Sequence, residues 1–290
     1  MRRCFAFYGL LAVISLLNCV ISPCQVEAAV NFVPLGRVMA DGLKAPGAMD
    51  IDGAGNLYVS DGRGGEVFKF DQHGRLKGVF DLGGTGAGLA VTPAGDRLYV
   101  ATGHDVVMAD AQTGESLGAL NGGAVAEGVE FASVGEIDLD DAGNVYVVEN
   151  SHMKIKVYSA DGQFINQFGG NGKTPGTFMR ISGMAIDSSG RVVVSDASSA
   201  TKENGKIHVF TMNADHSVQS VVAYLKSSTA NFGTPYMDSP RGISFDGQGR
   251  GFFLEYFRTS IRVTDANFKY AGSSIGQIAV GFEEGQLANI

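Results

Sequence analysis

Tryptophan is absent from the 290 residues, and the three cysteines, Cys4, Cys19 and Cys24, all lie close to the N-terminus. Everything downstream therefore has no disulfide framework, and its stability has to come from packing. No Cys-x-x-Cys-His occurs, which excludes a c-type haem attached covalently to this chain. Basic charge is also scarce: 22 Lys and Arg stand against 30 Asp and Glu, a formal net charge of −8. No run of Lys and Arg compensates, so the electrostatic footprint of a nucleic-acid-binding protein is missing. What is abundant is apolar residue (44%) and glycine (41 positions), with only 18% charged, a composition suited to many short buried strands joined by tight turns.

The first residues read as a targeting segment. Arg2 and Arg3 precede an apolar stretch from Phe5 to Val20, and Val26-Glu27-Ala28 places small residues where a signal peptidase reads. Residues 1–29 are expected to be a signal peptide, leaving residues 30–290 as one exported domain, periplasmic or extracellular. The alternative is that the stretch is retained as a membrane anchor, since it approaches the length that spans a bilayer. Asn18 and Pro23 precede Cys19 and Cys24, which disfavours lipidation at either.

One phrase recurs along the rest of the chain. It occurs as Met49-Asp50-Ile51-Asp52-Gly53-Ala54-Gly55-Asn56-Leu57-Tyr58-Val59-Ser60-Asp61, then around Asp140-Asp141-Ala142-Gly143, Asp187-Ser188-Ser189-Gly190 and Asp246-Gly247-Gln248-Gly249, with a degenerate copy around Thr92-Pro93-Ala94-Gly95. An alternating run, an Asp-x-x-Gly turn and a β-branched or aromatic run make a hairpin. A third strand follows each, as in Glu66-Val67-Phe68-Lys69-Phe70 and Ile207-His208-Val209-Phe210, and then a turn and a fourth, as in Phe164-Ile165-Asn166-Gln167-Phe168. Four antiparallel strands per repeat make one propeller blade. The expected fold is an all-β propeller of five complete four-stranded blades, at about residues 46–81, 86–120, 127–170, 181–226 and 239–276. Val33-Pro34-Leu35-Gly36-Arg37-Val38-Met39 reads as an orphan outer strand on a six-bladed pitch. The array is then a fragment of a six-bladed protein, a closed ring of five, or a partly open one.

These residues resemble the NHL repeat. Ser239-Pro240-Arg241-Gly242-Ile243-Ser244-Phe245-Asp246 is similar to that family's entry into the innermost strand, and Gly143-Asn144-Val145-Tyr146-Val147-Val148-Glu149-Asn150 to its second strand and exit. The resemblance implies a scaffold shared by binding proteins and a few enzymes. Among its members, ligases read RNA through a basic face, a pattern from which this acidic chain departs. NHL-like amidating lyases bind metal through His in such a propeller, but no motif match carries their ligands onto this sequence.

In propeller geometry the loops between second and third strands share one face with the blade-to-blade connectors. An acid ends each second strand there, as Asp61, Glu149, Asp196 and Glu255, with Thr102 in the degenerate copy; a residue repeated in every blade belongs first to the blade, accepting backbone N–H groups of its loop. Residues found in one blade only are the better candidates for ligand binding: Arg63, Asn150, Arg180, Tyr236, Arg241, Tyr256 and Arg258. His104 and His152 occupy equivalent loops of neighbouring blades and, with Asp196, are candidate ligands of a divalent metal, the only cofactor the residues suggest. Ser151-His152-Met153-Lys154 and the glycines from Gly83 to Gly88 lack the contexts that give Ser-x-x-Lys or a phosphate loop meaning. Asp50, Asp52, Asp138, Asp140 and Asp141 lack an EF-hand's spacing and read as turn residues. The leading expectation is a non-enzymatic scaffold that binds a protein, peptide or glycan through its loop face. Its rivals are a metal-dependent propeller enzyme of lyase or lactonase type and a structural spacer in an envelope complex.

Overall fold

The computed structural model describes residues 40–120, 130–197, 205–225, 240–255 and 260–275. They form twenty strands and, among the described residues, no α-helix. The first sheet comprises β1 (Pro46–Ile51), β2 (Leu57–Asp61), β3 (Glu66–Phe70) and β4 (Leu76–Asp81). The second comprises β5 (Leu89–Val91), β6 (Arg97–Ala101), β7 (Val106–Asp110) and β8 (Ser116–Ala119). The third comprises β9 (Val134–Leu139), β10 (Val145–Glu149), β11 (Lys154–Tyr158) and β12 (Phe164–Gly169). The fourth comprises β13 (Ile181–Ile186), β14 (Val192–Asp196), β15 (Lys206–Met212) and β16 (Val218–Leu225), and the fifth β17 (Pro240–Phe245), β18 (Gly251–Glu255), β19 (Ser260–Thr264) and β20 (Tyr270–Ile275). In every sheet the strands pair antiparallel in chain order. Successive sheets meet through their first strands, β1 to β5 to β9 to β13 to β17, which makes the molecule a β-propeller of five four-stranded blades. The expected orphan strand at residues 33–39 lies outside the described residues.

The Asp-x-x-Gly turns explain why each hairpin closes where it does. Asp140 accepts the amides of Ala142 (3.0 Å) and Asn144 (2.8 Å), and Gly143 adopts φ +82°, which only glycine takes without strain. Asp52, Asp187 and Asp246 hold their turns in the same way. In the degenerate copy the Thr92 hydroxyl substitutes, accepting from Asp96 (3.2 Å) and Arg97 (3.1 Å).

The core lies between blades, not within them. Val145 and Val147 of β10 pack on the second blade with Tyr99, Met108 and Leu120, whereas Tyr146 and Val148 of the same strand pack on the fourth with Met184, Val194 and Phe210. Second strands are thus sandwiched on both faces, which is why they read as unbroken apolar runs instead of an alternation. The first and second blades meet through Tyr58, Leu89 and Val100, and the fourth and fifth through Val193, Val209 and Phe253. Tyr58, Tyr99, Tyr146 and Val193 fill one repeated position and are all buried; its counterpart in β18 is Phe252, while Phe253, one residue on, packs back on the fourth blade.

At two places neighbouring first strands leave no room for a side chain. A Cβ on Gly183 would stand 2.1 Å from the Arg241 carbonyl oxygen, and one on Gly88 2.2 Å from that of Gly135. Glycine there lets consecutive inner strands approach backbone to backbone. The same ends are bulged in four blades, as between Ile181 and Gly183 or Pro240 and Ile243, which turns the incoming connector onto the loop face.

Candidate functional site

The acids that end the second strands are structural clamps. The Asp61 carboxylate accepts four amides, Lys44 (2.6 Å), Arg63 (2.8 Å), Ala45 (3.1 Å) and Gly64 (3.2 Å), tying its own loop to the incoming connector. The Lys44 amide leads in holding its carboxyl down to about 2, with Arg63, Gly64 and Ala45 adding to it. Glu149 does the same with Ser133 (3.3 Å), Ser151 (3.1 Å) and His152 (2.9 Å). Burial works to raise the Glu149 carboxyl, but the His152 ring and these amides outweigh it and the net shift is downward. Asp196 accepts the amides of Met179 (3.1 Å) and Arg180 (2.8 Å). Glu255 instead pairs with Arg262 (2.9 Å) and Ser260 (3.3 Å). In the second blade the Thr102 hydroxyl donates to the Asp105 carbonyl (3.1 Å).

With Asp61, Glu149 and Asp196 occupied by backbone amides, the exposed side chains of this face come from single blades. Arg63 and Arg180 are exposed, Asn150 is half-buried on the loop that Glu149 clamps, and Arg241 is half-buried with its carbonyl accepting the Ser195 hydroxyl (2.7 Å). Tyr236, Tyr256 and Arg258 lie outside the described residues. His104 and His152 are exposed but separately tethered, His104 Nδ1 to the Ala132 carbonyl (2.8 Å) and His152 Nδ1 to Glu149 (2.8 Å). Among the described residues no three His, Cys, Asp or Glu side chains gather as a metal site would require, so the two histidines and Asp196 are not brought together. Both Asp196 oxygens already face backbone amides.

Three features escaped the sequence. The first is a set of carboxylates on the inner strands. Asp50 and Asp138 sit two residues before the turn acids Asp52 and Asp140, within the strand itself, and bridge to the next blade's inner strand. Asp50 accepts the Val91 amide (2.8 Å), Asp138 that of Ile186 (2.6 Å), and Glu136 that of Met184 (2.5 Å). They satisfy amides on the innermost edge, where no further strand pairs. This corrects the reading of Asp50 and Asp138 as turn residues. Burial pushes both Glu136 and Asp138 up to about 7, against the lowering effect of those amides, and neighbouring acids add repulsion: Asp138 on Glu136, and Asp50 and Asp140 on Asp138. Both side chains are half-buried, so surrounding protein and mutual repulsion, not complete occlusion from water, set the shift. The period-two spacing of Glu136 and Asp138 on one strand was the available signal.

The second is a buried base on the third strand of four blades: Lys69, Lys156, His208 and Arg262 are all 6% exposed or less. Lys156 donates to the Glu130 carbonyl and lies over the Phe131 ring (4.9 Å). His208 accepts the Gly176 amide at Nδ1 (3.2 Å), with Nε2 3.8 Å from Asp196. The third is a latch between blades. The Tyr58 and Tyr99 hydroxyls donate to the Ala111 (3.1 Å) and Ala160 (3.0 Å) carbonyls in the next blade's last turn.

The comparisons fit a propeller. The family model DUF5128, described as a 6-bladed beta-propeller, matches residues 126–202. Among solved structures, a virginiamycin B lyase from Staphylococcus aureus, a catalytically inactive form with quinupristin, is similar with a TM-score of 0.56 at 14% identity, covering 80% of this chain and 70% of that one. A streptogramin B lyase is similar with a TM-score of 0.58 at 12% identity, covering 83% and 72%. A putative gluconolactonase is similar with a TM-score of 0.53 at 14% identity, covering 81% and 79%. At such identities the likeness is one of fold. No curated protein matches the chain.

Proposed function

We propose that this chain is an exported NHL-type propeller that captures a protein, peptide or glycan partner on the face formed by its second-to-third strand loops and connectors, without chemistry of its own. One observation supports this reading above others. Three of the repeated acids of that face, Asp61, Glu149 and Asp196, are occupied by backbone amides, so they build a rigid platform, while the side chains left to solvent, Arg63 and Arg180 among them, differ from blade to blade. A scaffold that fixes its loops and varies what they present is organised for recognition.

The test is capture of partners from an envelope extract, with the bound set identified for the wild type and for Arg63→Glu/Arg180→Glu. Both side chains are exposed, so the double variant should melt within a degree or two of wild type while losing the captured set, since exposed ion pairs contribute only about 0–1 kcal/mol. An unchanged set overturns the reading. Stoichiometric zinc or calcium in the purified protein, removed by His104→Ala and His152→Ala, would favour a lyase- or lactonase-type enzyme instead.

A further inference from the structure

The connector that leads from the third blade into the fourth differs from the rest of the molecule in charge. Residues 150–154 contribute His152 and Lys154, residues 170–180 contribute Lys173 and Arg180, and Lys206 opens β15, with no Asp or Glu in either loop. The nearest acids of the face, Glu149 and Asp196, are buried under their amide partners. None of Lys154, Lys173, Arg180 and Lys206 lies within ion-pair distance of a carboxylate among the described residues. In a chain of net charge −8 this is a concentration of uncompensated positive charge.

These cations are neighbours through backbone contacts. Lys154 pairs with Gly169, and the Gly170 amide donates to the Met153 carbonyl (2.7 Å), which joins the 150–154 loop to the start of the connector. Lys206 Nζ donates to the Lys173 carbonyl (2.6 Å), and Lys206 pairs across from Asp196, whose carboxylate holds the Arg180 amide. The connector itself is ordered throughout. Asn171 and Phe178 bridge, the Phe178 ring is fully buried against His208 and Phe210, and His208 holds the Gly176 amide. The charges therefore lie on and beside the connector, between the start of the third strand of one blade and that of the next, on backbone that requires no ordering when a ligand arrives.

We infer that these cations form a binding track for an extended acidic polysaccharide, its carboxylate or sulfate groups paired with Lys154, Lys173, Arg180 and Lys206. The inference rests on the loop-face reading and names the partner's chemistry. Cations carried by three segments, the 150–154 loop, the connector and the start of β15, suit a polymer with one anion per sugar better than a single compact anion. Three of the four are lysines, point charges that do not demand the planar, bidentate geometry at which arginine excels. Around them stand neutral hydroxyl and amide groups, Ser151, Asn171, Thr174 and Thr177, which match a partner rich in hydroxyls.

The experiment titrates the purified protein with polygalacturonate, with dextran as the uncharged polymer and poly-L-glutamate as the acidic peptide. Polygalacturonate should bind, weaken roughly tenfold or more when salt rises from about 50 to 200 mM, and bind at least about tenfold more weakly to Lys173→Gln/Arg180→Gln, with dextran not binding. A second variant, Lys154→Gln/Lys206→Gln, should weaken binding likewise, and melting of both variants near wild type shows that the loss is local. Binding by poly-L-glutamate as tight as by polygalacturonate, or polygalacturonate affinity unchanged in both variants, overturns the inference. Absence of polygalacturonate binding in a protein whose Arg63→Glu/Arg180→Glu variant still loses its captured partners overturns it alone and leaves the loop-face reading standing; partners retained by that variant overturn the reading beneath it.

Discussion

The hydroxyl of Tyr146 lies 2.8 Å from Nδ1 of His216, joining the second strand of the third blade to the last turn of the fourth. Tyr58 and Tyr99 reach the corresponding turns of their own neighbours, and in the fourth blade, where Val193 has no hydroxyl, Arg191 takes over by donating to the Ala266 carbonyl (2.7 Å) while lying over the Phe268 ring (4.6 Å). Each of the first three blades is thus fastened to the last turn of the next by a hydroxyl on a buried aromatic stem, and the fourth by an arginine. Burial also raises the Tyr146 hydroxyl, so it stays protonated at any working pH.

The ring and the hydroxyl of Tyr146 should therefore separate in energy. Tyr146→Phe removes one hydrogen bond and is expected to cost about 1 kcal/mol. Tyr146→Ala also empties a packed site between blades and is expected to cost about 3–5 kcal/mol. Denaturant unfolding of the two variants checks this, and equal losses would show that the ring contributes nothing beyond its hydroxyl.

The inner strands give a second expectation, because Gly183 admits no side chain. Gly183→Ala would force its Cβ against the Arg241 carbonyl oxygen and the Ser195 hydroxyl, with backbone on one side that cannot rotate away. Overpacking of this kind typically costs about 1–3 kcal/mol. The equivalent change at Gly242, where a Cβ meets nothing within 4 Å, should be nearly silent. Thermal melting of the two variants compares them directly.

The inner-strand acids set the pH dependence. Glu136 and Asp138 are pushed up to about 7 in the folded chain, above their ordinary values, so between about pH 4 and 7 the native state holds more protons than the unfolded state. Stability from these two groups is then greatest in mild acid and declines as pH rises through 7. Wild type should melt higher at pH 5 than at pH 8 by a few degrees, given that about 1 kcal/mol moves the midpoint roughly 2–4 °C in a chain of this size. Glu136→Gln/Asp138→Asn keeps an oxygen to accept the Met184 and Ile186 amides and should flatten that slope.

Much of the fold was legible in the residues because the blade is a local object: Asp140 and Gly143 specify a turn from four positions, and Val145 to Glu149 specify the strand after it. The same locality made Asp61 and Asp196 readable as backbone clamps. Asp50 was not, because it stands two residues from Asp52, the spacing that shares one side of a strand, and the amide that Asp50 meets, Val91, belongs to another repeat. Lys156 and His208 were illegible for a related reason. Each puts a polar side chain among buried apolar ones, and the carbonyl or amide that justifies it arrives from a connector whose path the repeat does not encode.

The Glu255 and Arg262 pair allows the sharpest separation of charge from packing. Their side chains are 2.9 Å apart and both nearly excluded from solvent. Arg262→Met keeps most of the stem's volume but takes a cation from beside the buried Glu255 carboxylate, and should destabilise the fifth blade by about 3–5 kcal/mol. Adding Glu255→Gln removes the carboxylate charge as well, and the double variant should recover much of that loss, because replacing a buried pair outright is often close to neutral. The cycle of single and double variants in denaturant gives the coupling. A double variant no more stable than Arg262→Met alone would mean that the arginine acts through packing and not through the carboxylate it faces.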